Sequence, residues 1–342
     1  MGLKAVKTAV LKSSRKLGLL GAVGRSSWRT RRLLILCYHG VAQQDEHLWN
    51  PALFLSQDAL RRQCELLALN NCTVLPLAEA VVRLARNDLP PRSVVLTFDD
   101  GSYDFLARAW PVIREFGFPV TVYQTSYYSS FNRPVFDVAC SYVLWKGAHA
   151  KIAGLDLSTE DSRSAACLRI RQSAQQAGLS GEAKDELLEQ LAVSLGVDMT
   201  PVRTQRLLHL MKPDELQQIL KEGVDLQLHT HRHRVPRDRT LFAREISENR
   251  DFLAAVGQPS AEHFCYPSGA YEPRFLPWLA ELGVRSATTC DPALASWKSH
   301  PLLLPRVIVP SSLSDIEFEG WLHGFSQALP RRPTRAPLTL DA

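Results

Sequence analysis

The sequence contains no long hydrophobic run. None of its apolar stretches reaches the ~18 residues that a transmembrane helix needs, and this argues against a membrane span. A short apolar segment at residues 17–24 follows basic residues, but Arg25 comes directly after it and no small-x-small cleavage site is clear. We therefore expect a cytoplasmic protein, with peripheral contact at the inner membrane as an open alternative and export as the less favoured one.

Paired cysteines are also absent. The seven cysteines are odd in number and scattered, and no Cys-x-x-Cys pair occurs. This pattern is typical of reduced thiols in a cytoplasm rather than of a disulfide framework. With 342 residues and 45% hydrophobic content, the chain can fill a sizeable core without covalent cross-links.

Acidic residues are missing from one end of the chain. Residues 1–44 hold nine lysines and arginines and no aspartate or glutamate, although the net charge of the whole chain is only +5. The rest of the chain is therefore mildly acidic. A basic arm on an acidic body argues against a body that binds nucleic acid.

The basic arm, residues 1–32, has two interpretations. Leu3, Val6, Val10, Leu17 and Leu20 recur at helical spacing, with Ser13 breaking the stripe, so the arm is compatible with a helix on an anionic membrane surface. The alternative is a solvated, partly disordered leader. We expect removal of residues 1–30 to lower membrane association but not the turnover of a soluble substrate.

Strand patterns alternate with helix patterns along residues 33–328. About seven strand–helix units follow one another, and this predicts an α/β fold with a parallel sheet, of the distorted (β/α)7 barrel type. Residues 126–206 interrupt the alternation with a helical pattern, and we expect an insertion there. Residues 329–342 are rich in proline and arginine, which predicts a disordered tail.

Chemically special residues follow the apolar strands where these end. They are His39, Asp99-Asp100, His229, Pro267-Ser268-Gly269 and Arg306. In α/β barrels the carboxyl ends of the strands meet at one face, which carries the chemistry. The sequence therefore predicts one convergent site.

Two motifs at this face predict a metal centre. Asp99 and Asp100 are adjacent carboxylates, and such a pair is costly unless a cation or a proton separates the charges. His229, His231 and His233 cluster after another strand, and a carboxylate with two imidazoles is a common open ligand set for a divalent metal. A metal can hold one aspartate and leave the other free as a base. The alternative is a polar loop of solvated histidines.

The sequence resembles the polysaccharide deacetylases, also called carbohydrate esterase family 4. The resemblance rests on Thr97-Phe98-Asp99-Asp100-Gly101 together with His229-Thr230-x-x-His233, and it covers about residues 33–310. Within the family, the branch that deacetylates poly-N-acetylglucosamine exopolysaccharides is the most similar. That branch has a first strand ending in Tyr-His, like Tyr38-His39 here, and a late Leu-Pro-Arg, like Leu304-Pro305-Arg306 here.

The resemblance implies a role for each matching residue. The metal ligands would be Asp100, His229 and His233, and the metal would most often be Zn²⁺. Asp99 would be the general base toward the attacking water, and His39 would be the acid that protonates the leaving amine. The metal and a backbone N–H after Pro267 would stabilise the oxyanion.

The third family motif departs from the usual pattern. Cys265 stands where many members have an arginine that orients the base, and Arg306 is the candidate substitute, as in the exopolysaccharide branch. Without such a substitute the base would be poorly held. Pro267, Ser268 and Tyr266 are the candidate substrate-binding residues, with Tyr266 able to stack on a sugar ring.

The pattern as a whole predicts an enzyme. We expect a metal-dependent hydrolase that removes N-acetyl groups from N-acetylhexosamine units of a bacterial surface glycan or of its lipid-linked precursor. The partner would be an N-acetylated carbohydrate, without nucleic acid. The alternatives are an O-acetyl esterase acting on a polysaccharide with the same residues, and a catalytically weak glycan-binding module on the same fold.

Overall fold

The computed structural model describes residues 3–150 and 155–330. Within these residues no helix is both long and apolar enough to cross a bilayer. Eleven strands are present in this part of the chain: β1 Arg32–Tyr38, β2 Gly40–Val41, β3 Phe54–Leu55, β4 Thr73–Val74, β5 Ser93–Phe98, β6 Thr121–Gln124, β7 Asp225–Leu228, β8 His263–Cys265, β9 Ser286–Thr288, β10 Ala295–Ser296 and β11 Val307–Ile308.

Seven parallel strands curl into a distorted barrel. The parallel neighbours run in the order β1, β5, β6, β7, β8, β9, and β11 pairs with the other side of β1. A parallel bridge from Thr288 to Leu304, just before β11, joins the two ends of this order. The predicted distorted (β/α)7 barrel is confirmed. Because β5 is covered on both faces, all six of its residues are buried, as its unbroken apolar run indicates.

Helices cover the outside of the barrel. The described helices are α1 Leu3–Lys16, α2 Leu19–Arg25, α3 Ser27–Thr30, α4 Glu46–Trp49, α5 Gln57–Leu69, α6 Leu77–Arg86, α7 Trp110–Glu115, α8 Phe136–Lys146, α9 Glu160–Gln176, α10 Gly181–Leu195, α11 Thr200–Thr204, α12 Pro213–Lys221, α13 Arg239–Ala255, α14 Phe275–Glu281 and α15 Asp315–Leu322. A π-helical turn, Phe105–Ala109, leads into α7. The Ser56 side chain caps α5 by accepting from the amide of Ala59, a cap that the sequence itself indicates.

The segment predicted as an insertion contains α8, α9, α10 and α11. These helices bury their own hydrophobic cluster, which includes Phe136, Leu144 and Leu188 and is separate from the main barrel core. A segment with its own hydrophobic core can keep its structure while it packs against the barrel. Its two ends lie after β6 and before α12, so it rises from the carboxyl-end face of the sheet.

The basic arm is folded onto the barrel over its described residues. Leu11 of α1 and Leu20 of α2 form a buried cluster with Ile316 of α15. Arg29 is fully buried, and its guanidinium donates to the carbonyl oxygens of Leu322 and Arg32, at 2.8 and 2.7 Å. Residues 331–342 of the predicted tail lie outside the described residues.

The position of Arg29 corrects one expectation from the sequence. A deletion of residues 1–30 would remove a buried cation and leave the carbonyl oxygens of Leu322, Arg32 and Ser93 without this donor. Such a deletion would disturb the barrel itself, so unchanged turnover is not expected of it. The function of the arm therefore has to be tested by substitutions on its outer surface.

Candidate active site

The first motif forms a tight turn at the end of β5. Asp100 has φ 70° and Gly101 has φ 78°, which is the left-handed region that favours glycine. A Cβ on Gly101 would lie 1.9 Å from Oε1 of Gln124, so no side chain fits there. The turn places Asp99 inside the barrel and Asp100 toward its mouth. The glycine after the two aspartates is thus required by the shape of the turn.

Asp100, His229 and His233 converge in space. Oδ1 of Asp100 lies 3.3 Å from Nε2 of His229 and 3.2 Å from Nε2 of His233. This Oδ1 is buried and has no hydrogen-bond partner among the described residues. The ligand atoms of the three side chains all lie within 4.8 Å of one another. A carboxylate whose unsatisfied oxygen faces two imidazole nitrogens fits a divalent metal.

The surrounding structure orients His229. Nδ1 of His229 is 2.9 Å from the carbonyl oxygen of Cys265 and donates to it, which leaves Nε2 free as a ligand atom. The backbone amide of His229 donates to Oδ1 of Asn249 on α13, at 2.9 Å. Buried Glu245, also on α13, accepts from the amide of Arg232 and fixes the loop that carries His233. Helix α13 therefore supports the residues that could hold a metal.

The third histidine of the cluster points away from the site. Nδ1 of His231 is 2.8 Å from Oγ of Ser126, and Nε2 faces Glu248 at 3.7 Å. His231 therefore offers a matched control for the ligand histidines. We expect His229→Ala to lower the divalent metal retained after dialysis well below one ion per chain, and His231→Ala to retain the wild-type content. Elemental analysis of the two variants checks this, and equal loss in both would contradict the ligand assignment.

Asp99 is held by a buried arginine. Nη1 and Nη2 of Arg306 donate to Oδ1 and Oδ2 of Asp99, at 2.6 and 2.7 Å, and both side chains are almost fully buried. Burial alone would raise the pKa of the Asp99 carboxyl, but the charge and hydrogen bonds of Arg306 outweigh it and hold this pKa well below its usual range. Asp99 is therefore ionised at neutral pH and fixed in orientation, which is the task of the arginine missing at Cys265.

Three thiols surround this ion pair. The thiols of Cys37 and Cys265 lie 3.5 and 3.4 Å from Oδ2 of Asp99, and Nη2 of Arg306 lies 2.9 Å from Sγ of Cys265. Sγ of half-buried Cys290 is 3.8 Å from the same Nη2. The small Cys265 side chain leaves the space through which Arg306 reaches Asp99. Nothing in the motifs indicated Cys290, because it follows β9 outside all of them.

Cys290 is expected to be the reactive thiol of this group. The neighbouring thiol of Cys37 and the charge of Arg306 lower the pKa of the Cys290 thiol, although burial opposes them. We expect iodoacetamide to inactivate the protein at a rate that rises with pH, since the thiolate is the nucleophile. Cys290→Ser should be resistant. Mass mapping of the alkylated peptide checks this, and first modification at another cysteine would contradict it.

His39 lies at the mouth of the barrel beside Asp99. Its Nε2 is 3.8 Å from Oδ2 of Asp99, and burial lowers the pKa of the imidazole although the charge of Asp99 opposes this. His323, near the end of the described chain, caps α15, and its Nε2 lies 2.9 Å from Oδ1 of Asn70. His39 and His229 both lie close to Asp99, whereas His323 does not take part in this group.

A cleft of about 320 Å³ opens over these residues. His39, Asp100 and His233 belong to its lining. The rest of the lining is largely apolar and aromatic, and it includes Trp49 and Phe54, Tyr128 and Val138 of the inserted segment, and Leu208 just after that segment. The sequence motifs did not predict this apolar lining. A cleft of this kind suits a ring-shaped ligand with an apolar face.

One predicted substrate contact is wrong. Tyr266 is fully buried, and its hydroxyl donates to the carbonyl oxygen of Leu302 at 3.1 Å, so its ring is packed in the core and cannot stack on a sugar. Pro267 is buried as well, while Ser268 is exposed with φ 56°. The amides of Gly269 and Ala270 are used within this turn, which leaves the Ser268 amide as the candidate oxyanion donor. Neither Pro267 nor Ser268 belongs to the cleft lining.

Comparison with known proteins agrees with this geometry. The family model for polysaccharide deacetylases matches residues 170–287, which include His229, His233 and the turn at 267–269. No curated protein matches the chain. The matched segment does not contain Asp99 or Asp100. The order of the strands in the sheet brings these two residues next to the matched histidines.

Several solved structures share the fold. The deacetylase PplD of Streptococcus pyogenes, in complex with acetate, has 17% identity and a TM-score of 0.56 over 88% of this chain and 99% of its own. IcaB of Ammonifex degensii has 16% identity and a TM-score of 0.54 over 86% and 97%. A de-N-acetylase of Aggregatibacter actinomycetemcomitans has 11% identity and a TM-score of 0.51 over 85% and 99%. The matching family model over residues 170–287, together with the barrel and the convergent site, makes the chain similar to the polysaccharide deacetylases and supports a deacetylase hydrolase.

Proposed function

We propose that the protein removes N-acetyl groups from N-acetylhexosamine units of a bacterial surface glycan, of the poly-N-acetylglucosamine kind, or of its lipid-linked precursor. One observation carries this proposal. Asp99 remains outside the Asp100, His229, His233 set, and it is ionised and held by Arg306 directly beside that set. A ligand set with a separate, oriented carboxylate is what hydrolysis by an activated water requires.

Each residue of the site has a place in the proposed reaction. A divalent cation held by Asp100, His229 and His233 would act as a Lewis acid on the acetyl group. Asp99 takes the proton of the attacking water. His39 delivers a proton to the leaving nitrogen, which departs as the free amine, and the acetyl group becomes acetate. The Ser268 amide is the expected donor to the oxygen of the acetyl carbonyl.

The cleft supports a carbohydrate as the substrate. The aromatic side chains of Trp49, Phe54 and Tyr128 offer faces on which the apolar side of a sugar ring can pack. His39, Asp100 and His233 provide the polar part of the lining, to which the acetamido group would point. The alternative of a catalytically weak glycan-binding module rested on the absence of an arginine at position 265. Arg306 makes the contact with Asp99 that such an arginine would make, so this alternative is less favoured.

The test compares two acetylated substrates. Metal-loaded protein is incubated with N-acetylglucosamine oligomers and, separately, with an O-acetylated polysaccharide, and both acetate and free amine are measured. The proposal predicts acetate and amine in equal amounts from the first substrate. Acetate from the O-acetylated substrate alone would favour the esterase alternative, and it would overturn the de-N-acetylase.

A further inference from the structure

The first helix leaves an apolar flank in solvent although it is packed on the barrel. Leu11 of α1 is buried, and both ends of the helix are tied down: Lys4 donates to the carbonyl oxygen of Ser312 and Arg15 pairs with Glu319. Several apolar side chains at the outside of α1 and its turn into α2 nevertheless remain exposed, namely Val6 at 44%, Val10 at 39%, Leu17 at 74% and Leu19 at 47%. Exposed apolar side chains that cluster on a folded surface need an explanation.

The same surface carries unpaired positive charge. Lys12, Lys16 and Arg25 are exposed and have no ion pair among the described residues, and no acidic residue occurs before Asp45. Lys12 and Lys16 are one helical turn apart, so they form a basic edge on α1, about a third of a turn or more around the helix axis from Val6 and Val10. Together these apolar and basic side chains form what we call the α1 surface.

We propose that the α1 surface docks on an anionic lipid bilayer. Leucine and valine side chains gain by entering the interface, and lysine and arginine gain from anionic headgroups, so the mixture suits a membrane surface. A nucleic acid would use the charges but leave Leu17 and Leu19 in water. All seven cysteines are free thiols, and this favours the cytoplasmic leaflet as the docked face.

Docking by this surface would bring the cleft beside the membrane. Lys4, at the start of α1, contacts Ser312, and the neighbouring Ser311 amide donates to the carbonyl oxygen of Pro51 at 2.8 Å. Pro51 follows α4, whose Trp49 lines the cleft together with Leu53, and Leu48 of α4 is 65% exposed. This last step, from docking to the substrate, rests on the proposed function. With that function, the substrate is a glycan tethered to the bilayer by a lipid.

The binding test uses vesicles and two matched pairs of variants. Full-length protein is sedimented with neutral phosphatidylcholine vesicles and with vesicles that also contain phosphatidylglycerol. Leu17→Asp is compared with Val193→Asp, a residue 79% exposed on α10, and Lys12→Glu/Lys16→Glu with Lys221→Glu/Lys298→Glu. We expect wild type and both controls to bind the anionic vesicles, and both α1-surface variants to bind at least about tenfold more weakly.

Three results would overturn the docking proposal. They are equal sedimentation with neutral and anionic vesicles, wild-type binding by both α1-surface variants, and equal loss in the control variants. Formation of a discrete complex with a protein, together with absence of vesicle binding, would assign the surface to a protein partner and also overturn it. Circular dichroism of every variant confirms that the fold is retained.

A second measurement separates docking from catalysis. Acetate release is compared between an N-acetylglucosamine oligomer in solution and the same oligomer linked to a lipid in anionic vesicles. Leu17→Asp should lose turnover of the tethered oligomer and keep turnover of the soluble one. Equal loss on both, or none on either, would overturn the tethered-substrate step. If wild type releases no acetate from either while it binds vesicles, the proposed function fails and the docking stands.

Discussion

Replacement of Asp99 by asparagine is expected to lower kcat for acetate release by about 10²–10⁴-fold, the range typical of a lost general base. The amide keeps the size of the side chain and its oxygen can still accept from Arg306, but the buried guanidinium loses its counter-charge, so the folded fraction is measured beside the turnover. It cannot accept the proton of the attacking water. Asp99 is outside the ligand set, so the metal content should remain that of wild type. Turnover of N-acetylglucosamine oligomers and elemental analysis of the same preparation check both expectations.

Asp137→Asn is a matched control for this experiment. Asp137 lines the cleft, and its carboxylate pairs with Arg171 of the inserted segment at 2.7 Å. We expect near wild-type turnover from this variant. A rate for Asp99→Asn that is as high as that of Asp137→Asn would show that Asp99 is not the base.

Replacement of Arg306 by alanine is expected to cost about 3–5 kcal/mol of the free energy of unfolding, as removal of one partner from a buried ion pair does. The variant leaves the Asp99 carboxylate buried with only Cys37 and Cys265 as weak donors. It should also lose most of the turnover, because the base is no longer oriented. Urea unfolding and acetate release check the two effects.

Lysine at position 306 separates charge from geometry. It keeps the positive charge but cannot donate to both carboxylate oxygens in the way that the guanidinium does. We expect Arg306→Lys to recover part of the stability and little of the turnover. Full recovery of turnover by lysine would contradict the view that two-point orientation of Asp99 is what matters.

The ion pair also predicts how stability depends on pH. Arg306 holds the folded-state pKa of Asp99 well below its unfolded value, so the stabilisation is fully present above the unfolded pKa of about 4 and is lost as the pH falls through the folded pKa. In Arg306→Ala burial is no longer opposed and raises the folded-state pKa of Asp99, so the difference between wild type and variant should be largest at neutral pH and should shrink on acidification, first as the variant takes up this proton and then below about pH 4 as wild type loses its stabilisation. Unfolding curves at these pH values check the sign, and a difference that grows on acidification would contradict it.

The sequence predicted the candidate site best where a residue type has few roles at a strand end other than catalysis or metal binding. Two aspartates at the end of β5 and a histidine cluster after β7 indicate a shared site, because parallel strands place their carboxyl ends at one face. Arg306 lies far along the chain, yet β11 pairs with β1 next to β5, and this brings it to Asp99. Strand order alone therefore accounts for most of the site.

Other features could not be read from local patterns. Tyr266 follows a strand in the same way as His229 does, but its ring turns into the core. Packing against Phe264 and a hydrogen bond to the carbonyl oxygen of Leu302 set the direction of the ring, and a local pattern shows neither. The apolar lining of the cleft comes from a loop and from the inserted helices, whose positions depend on tertiary contacts. The stripe on α1 predicted a helix, but not that Leu11, outside the stripe, would bind it to the barrel.

The most direct test of the whole account is acetate release measured against the amount of metal bound per chain. Protein stripped by a chelator is reloaded with increasing Zn²⁺, and acetate from N-acetylglucosamine oligomers is measured at each step. The account predicts no release without metal and a rise in proportion to occupancy up to one ion per chain, with His229→Ala inactive throughout. Release that is independent of metal, or that persists in His229→Ala, would contradict it.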